Sequence, residues 1–308
     1  MKQYIKYIYK HNQNGGNNKS DNINIKFYFV RHAYSCSNLK STEADRSNPL
    51  NKLISILQKI YEQDPNLTQY GINHSKKFGN EIKSNNLIGH IDYLFSSSLA
   101  RAIETAHLMF NKEITIAPYL REKGYTYNNI PFDPNDQDNN RIRLFNELQH
   151  TNVDIRRIHE NDINRGYQDD KEGYNGNLYK FIEWFLNTYY DEIKNKQTIN
   201  VVAVTHSRLM QHDFEDFVIV AGKEIKSFRE RKPYNNSVYK LELNIPKIIT
   251  PNIFDINNDI LTLSNNILIV KELIEIHNGI KDPDNLPNQY CELICTFYQA
   301  DKCNLHDK

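Results

Sequence analysis

No stretch of the chain approaches the roughly 18 consecutive apolar residues that a transmembrane helix needs, and the mean hydropathy is -0.70. A membrane span is therefore excluded by the sequence. An excess of charge of one sign is missing as well: 38 basic side chains meet 38 acidic ones. The electrostatic footprint of a nucleic-acid or membrane-surface binder is thus absent at the level of the whole chain. Cysteine is scarce. Cys36, Cys291, Cys295 and Cys303 are too few and too unevenly spaced for a disulfide framework, which points to a reducing compartment. The opening MKQYIKYIYKHNQNGGNNKS has no continuous apolar segment of the kind a signal peptide needs, so a cytoplasmic location is expected. Neither a Walker loop nor a dinucleotide fingerprint occurs. The three C-terminal cysteines and His306 offer soft ligands, but their spacing fits no pair of two-residue knuckles, and no metal is expected.

What is present begins with length: 308 residues allow one large domain with a substantial core. The 41 asparagines read as compositional bias, because apolar periodicity persists through them. Residues 1–24 are polar and read as a loose arm. From Ile25 the run IKFYFV has the length and residue type of a strand buried on both faces, and it stops at Arg31-His32. IDYLFSS (91–97) followed by the helical pattern LARAIETAHLMF repeats the strand-then-helix order. INVVAVTHS (199–207) followed by RLMQHDFEDFVIVAG repeats it again, and EITIAP (113–118) does so more weakly. LTQYGINHSKKFGNEIK, with Thr68 as N-cap, and NLYKFIEWFLNTYYDEI, with Leu178, Phe181, Trp184 and Phe185 on one face, are expected to cover the sheet as helices.

Such alternation predicts an α/β fold, a three-layer sandwich around a mostly parallel central sheet. The expected domain spans 25–245. It carries insertions at 39–63, with an amphipathic helix over 48–63, and at 123–176, where a short helical pattern interrupts an Asn- and Asp-rich excursion. Residues 246–308 read as a C-terminal extension packed on the domain.

In an open parallel sheet the carboxyl ends of neighbouring strands form one crevice, where helix N-termini add their dipoles. Arg31-His32, Arg101 and His206 all lie at such ends or just beyond them, so they are expected to converge as an anion clamp. Arginine suits phosphate because its planar fork donates two parallel hydrogen bonds and never loses its charge. Each residue alone has a plainer explanation: a surface pair for Arg31-His32, a solvated helix residue for Arg101, a capped histidine for His206. The pair His212-Asp213 looks catalytic but falls inside a helix and reads as structural. Arg121 reads as solvated.

Four motifs in order carry a resemblance. FVRHAYSCSN (29–38), DPNLTQYG (64–71), SSLARAIETA (97–106) and VVAVTHS (201–207) are similar to the signatures of the histidine phosphatase superfamily, the phosphoglycerate mutase-like proteins, and specifically of its first branch. The resemblance implies a phosphomonoesterase acting without a cofactor. His32 would accept the phosphoryl group, while Arg31, Arg101 and His206 bind it. Glu122 in PYLREKG would serve as proton donor, and Ser35 and Asn38 would contact phosphate or fix the histidine loop. The implied substrate is a small phosphorylated molecule or a phosphoprotein. Ala33 and Tyr34 depart from the family pattern, and the signatures of the true phosphoglycerate mutases are absent. A phosphatase is therefore expected over a mutase-type phosphotransferase, with a non-catalytic phosphate-binding scaffold as the remaining alternative. The second branch is disfavoured, because Ser207 follows His206 where that branch has aspartate.

Overall fold

The computed structural model describes residues 22–39, 41, 49, 64–123, 153–154, 176–221, 232–247, 254–255, 262–263, 266–267, 269–277 and 279. Nearly all of the expected helix over 48–63 and of the arm at 1–24, most of the 123–176 excursion and the cysteines Cys291, Cys295 and Cys303 lie outside them; Asn22–Asn24, read as part of the loose arm, instead open the first strand.

The strands are β1 (Asn22–Arg31), β2 (Tyr93–Ser96), β3 (Ile114–Ile116), β4 (Val153–Asp154), β5 (Thr198–Thr205), β6 (Val238–Pro246), β7 (Phe254–Asp255), β8 (Thr262–Leu263), β9 (Asn266–Ile267) and β10 (Ile269–His277). Helices α1 (Gln69–Ser84), α2 (Ala100–Phe110), α3 (Leu178–Ile193) and α4 (Ser207–Ala221) alternate with them, and a helical turn at 36–39 follows β1. Seven strands form one sheet in the order β10-β6-β1-β5-β2-β3-β4, and β7, β8 and β9 pair separately. The pairings β1–β5, β5–β2, β2–β3 and β3–β4 are parallel, whereas β6 joins β1 and β10 joins β6 antiparallel. Part of the segment read as an extension, Ile269–His277, is thus an edge strand of the main sheet.

β1 is central because both its faces are apolar. Ile23, Ile25, Phe27 and Phe29 point to one core and Tyr28 and Val30 to the other, the period of two that pleating imposes. The first core is aromatic: Phe27 meets Phe185 edge-on at 5.4 Å, and Phe181 contacts Phe27, Phe29 and Phe95. α3 and α4 cover this face through Phe181, Phe185, Leu209 and Phe214. α1 and α2 cover the other through Phe78, Ile82, Ala102 and Ala106. Helices on both faces make the three layers expected from the alternating pattern. Each fully buried ring of this kind stabilises the fold by about 1.5–3 kcal/mol.

Thr68 caps α1 as its sequence position suggests, its side chain accepting from Gly71 N. Both its amide and its hydroxyl also donate to Tyr34 O at 3.0 Å. A Cβ on Gly71 would lie 2.2 Å from that same oxygen, so only glycine lets α1 dock on the loop after β1.

Candidate active site

The register that pairs Arg31 with Thr205 sets His32 beside His206, one residue past each strand end. His32 N donates to Thr205 O at 2.9 Å, and the two imidazole centroids are 5.0 Å apart. His32 Nδ1 lies 2.7 Å from Ala33 O. A carbonyl can only accept, so Nδ1 carries the proton and Nε2 keeps its lone pair. His206 Nε2 lies 2.8 Å from Ser97 Oγ, while its buried Nδ1 has no hydrogen-bond partner among the described residues.

Burial, reinforced by the Arg101 charge, holds both imidazoles well below the usual histidine range; Arg31 acts on both, and Arg121 also acts on His206. Depressed values fix the sign of a pH effect. Above pH about 6.5 both rings are neutral folded or unfolded, whereas at lower pH the unfolded chain binds protons that the folded chain excludes. Stability therefore falls as pH falls below that point, by at most about 1.4 kcal/mol per pH unit per histidine. Urea unfolding at pH 7.5, 6.5 and 5.5 should show a shallower acid loss in His206→Asn than in the wild type. Parallel curves would refute the buried neutral state.

The cations come from separate elements. Arg31, 3% exposed at the end of β1, donates from Nη1 to Pro233 O at 2.5 Å. Arg101 is 4% exposed on the first turn of α2, with Nη1 4.0 Å from Asp64 Oδ1. Asp64 also accepts from Ala100 N at 2.8 Å, which supplies the cap that Leu99 at the N-cap position of α2 lacks. Arg121, expected at the surface, is buried, 3% exposed, and close enough to His206 for its charge to act on the ring. Its backbone carbonyl lies against Gly176, where a Cβ would stand 2.0 Å away.

The loop after β1 is fixed from three sides. Ala33 N donates to Thr105 Oγ1, which itself donates to Arg101 O at 2.7 Å. Asn235 Nδ2 donates to His32 O at 2.9 Å and reaches Asn38 Oδ1 at 3.3 Å. Ser35 donates to Asn38 Oδ1 from both its amide and its hydroxyl. Ser35 and Asn38 thus hold the loop together. Cys36 in this loop is disulfide-bonded, contrary to the free thiols expected, and the other three cysteines lie outside the described residues.

Glu122 sits at the N-terminus of α4, the helix that begins directly after His206. Its Oε1 accepts from Arg208 N at 3.0 Å, Leu209 N at 3.2 Å and Lys123 N at 3.2 Å. Thr205 Oγ1 donates to Leu120 O at 2.7 Å, which ties the Glu122 turn to the end of β5. Among the described residues, no group of His, Cys, Asp and Glu side chains could hold a metal ion, and no helix is long and apolar enough to cross a membrane.

Arg31 and Arg101 are thus buried and close enough to the two buried histidines for their charges to act on both rings. The family model for the histidine phosphatase superfamily (branch 1) matches residues 55–141. The match covers Asp64, Arg101 and Glu122, and His32 and His206 lie outside it. No curated protein matches the chain. Three solved structures to which it is similar are a mutant phosphoserine phosphatase from Entamoeba histolytica in complex with phosphoserine, a phosphoglycerate mutase from Bacillus anthracis and an ecdysone phosphate phosphatase from Bombix mori. The first is 14% identical, covers 81% of this chain and 96% of its own, and has a TM-score of 0.39. For the second the values are 18%, 74%, 90% and 0.41. For the third they are 12%, 70%, 88% and 0.42.

The four motifs contain more of the site than their charged residues. Ser97, Thr105 and Asp64 all stand inside the quoted motifs, yet sequence reasoning misses each of them, because a lone hydroxyl or carboxylate has no local signal of its partner. Asn235 reads in the sequence only as an incidental glycosylation sequon, and nothing nearby ties it to His32. Glu104 is a further buried group: its Oε2 accepts from Leu67 N at 2.8 Å, and burial, with the Asp64 charge adding, pushes its carboxyl up to about 8.

Proposed function

We propose that the chain is a phosphomonoesterase that works through a phosphohistidine at His32. The observation that carries this reading is the His32 tautomer: with Nδ1 bonded to Ala33 O, Nε2 is left as a neutral nucleophile. Arg31 and Arg101 lower the proton affinity of that ring and so favour the free base. The Nε2 lone pair attacks phosphorus while the bond to the ester oxygen breaks, and the leaving alkoxide takes a proton from Glu122. Water then attacks the phosphohistidine and gives a proton back to the Glu122 carboxylate, which releases phosphate and frees Nε2. The arginines and His206 meet the charge on the transferring group, the largest contribution to rate in such sites. The substrate class is a small phosphorylated molecule or a phosphoprotein, and the chemistry calls for no cofactor.

Turnover of a generic aryl phosphate, with and without phosphoglycerates, tests this function. Hydrolysis without an acceptor supports the phosphatase. Transfer only in the presence of phosphoglycerates would mean a mutase, and binding without turnover a scaffold.

The role of Glu122 yields a narrower expectation. Glu122→Gln should slow alkyl phosphates by about 100-fold, the scale of a general acid, and aryl phosphates far less, because a phenolate leaves without help. Equal losses on both substrate classes would assign the proton to another group.

A further inference from the structure

Asp213 lies seven residues beyond His206 on α4, 3% exposed, and both its carboxylate oxygens are engaged. Oδ1 pairs with Lys123 Nζ at 2.5 Å, and Oδ2 accepts from Leu178 N at 2.6 Å. Lys123 immediately follows Glu122, and Leu178 opens α3. These two contacts therefore bridge the places where the 124–175 segment leaves and rejoins the described chain. Other ties lie beside them. Asn177 N donates to Tyr119 O at 2.8 Å, and Tyr119 itself is held in the left-handed region at φ 63°. A Cβ on Gly176 would stand 2.0 Å from Arg121 O, so the two stems meet at backbone contact.

Burial raises the Asp213 carboxyl against the pull of Lys123 and the Leu178 amide, which means that desolvation outweighs what the partners return. A buried ion pair of this sort is a poor source of stability and a good source of fixed geometry. That geometry bears on Glu122. Its carboxylate grips the first turn of α4 through Arg208 N and Leu209 N, and the next residue, Lys123, grips Asp213 on the second turn. Two attachments on successive turns fix the orientation of the strand-to-loop turn, where one would let the carboxylate pivot.

We infer that Asp213 is a positioning residue for Glu122, acting through its ion pair with Lys123, an inference that rests on the proton-donor role proposed above. The hydrogen bonds and ion pair of Asp213 run to Lys123 and Leu178 and to none of Arg31, His32, Arg101 and His206, so its effect should be confined to the step that needs the acid.

The test uses the full chain with glycerol phosphate and p-nitrophenyl phosphate as alkyl and aryl substrates. Asp213→Asn and Lys123→Met should lower kcat on the alkyl ester about tenfold, the scale of a modest misplacement, and change the aryl ester by less than about threefold. Inhibition by inorganic phosphate should stay the same. Lys123→Arg, which keeps the charge, should restore alkyl turnover. In a Glu122→Gln background, Asp213→Asn should cause no further loss. An equal fall on both esters, or a full additional fall in the Glu122→Gln background, overturns the positioning role and leaves the phosphatase reading intact. A wild-type protein that turns over neither ester overturns both. Lys123→Met carries the same test from a partly exposed side chain, so a folding defect confined to Asp213→Asn does not remove it.

Discussion

Replacing His32 by alanine is expected to abolish phosphate-ester hydrolysis while leaving the fold in place. The side chain contributes no apolar packing to either core, and its hydrogen bond to Ala33 O is local. What would disappear is the proposed covalent acceptor, for which His206 would not substitute, since its Nε2 is turned to Ser97. Acid-quenched wild-type protein incubated with labelled substrate should carry phosphate on histidine, and the alanine variant should carry none. The variant should also melt near the wild-type temperature, because the loop keeps its bonds from Thr105 and Asn235 to the backbone of residues 32 and 33. Undiminished turnover in the variant would remove His32 from the mechanism.

Arg101→Ala is expected to lower turnover by at least about 100-fold, the usual consequence of deleting a preorganised charge from a transferring group. A second effect accompanies the first. Arg101 is the leading charge that suppresses protonation of both His32 and His206, so its loss should move the acid limb of the pH profile to higher pH. Arg101→Lys should recover only part of the rate, since an ammonium cannot present the paired donors of a guanidinium. It should, however, return the acid limb towards its wild-type position. Complete rescue of rate by lysine would show that charge alone matters. A thermal melt belongs beside the kinetics, because Arg101→Ala removes a cation from beside the buried Asp64.

The sheet and its helices are legible because they are written in local period. The apolar run from Ile25 to Val30 and the apolar face of Leu178–Ile193 need no distant information to be read, whereas Asn22–Asn24, read as part of a loose arm, join β1 only through pairing with their neighbours. The antiparallel strands β6 and β10 are not legible in the same way. They lack the strand-then-helix order that marks the parallel units, and their place depends on β1 offering an edge to β6 and on β6 offering one to β10. Arg121 shows the same limit in one residue. Its neighbours resemble those of any exposed turn, yet it is buried, and its backbone meets the stem at Gly176.

By itself the sequence determined the α/β class, the strand ends that carry Arg31, His32 and His206, and the cap at Thr68, since each follows from spacing along one element. The tertiary structure alone decided how those groups work. The Ala33 carbonyl selects the His32 tautomer, Asn235 reaches His32 from 203 residues away, and Asp213 bridges Lys123 and Leu178 from a third element. Hydrogen bonds and desolvation depend on which groups share a volume, and a volume is shared only after the sheet has set its register.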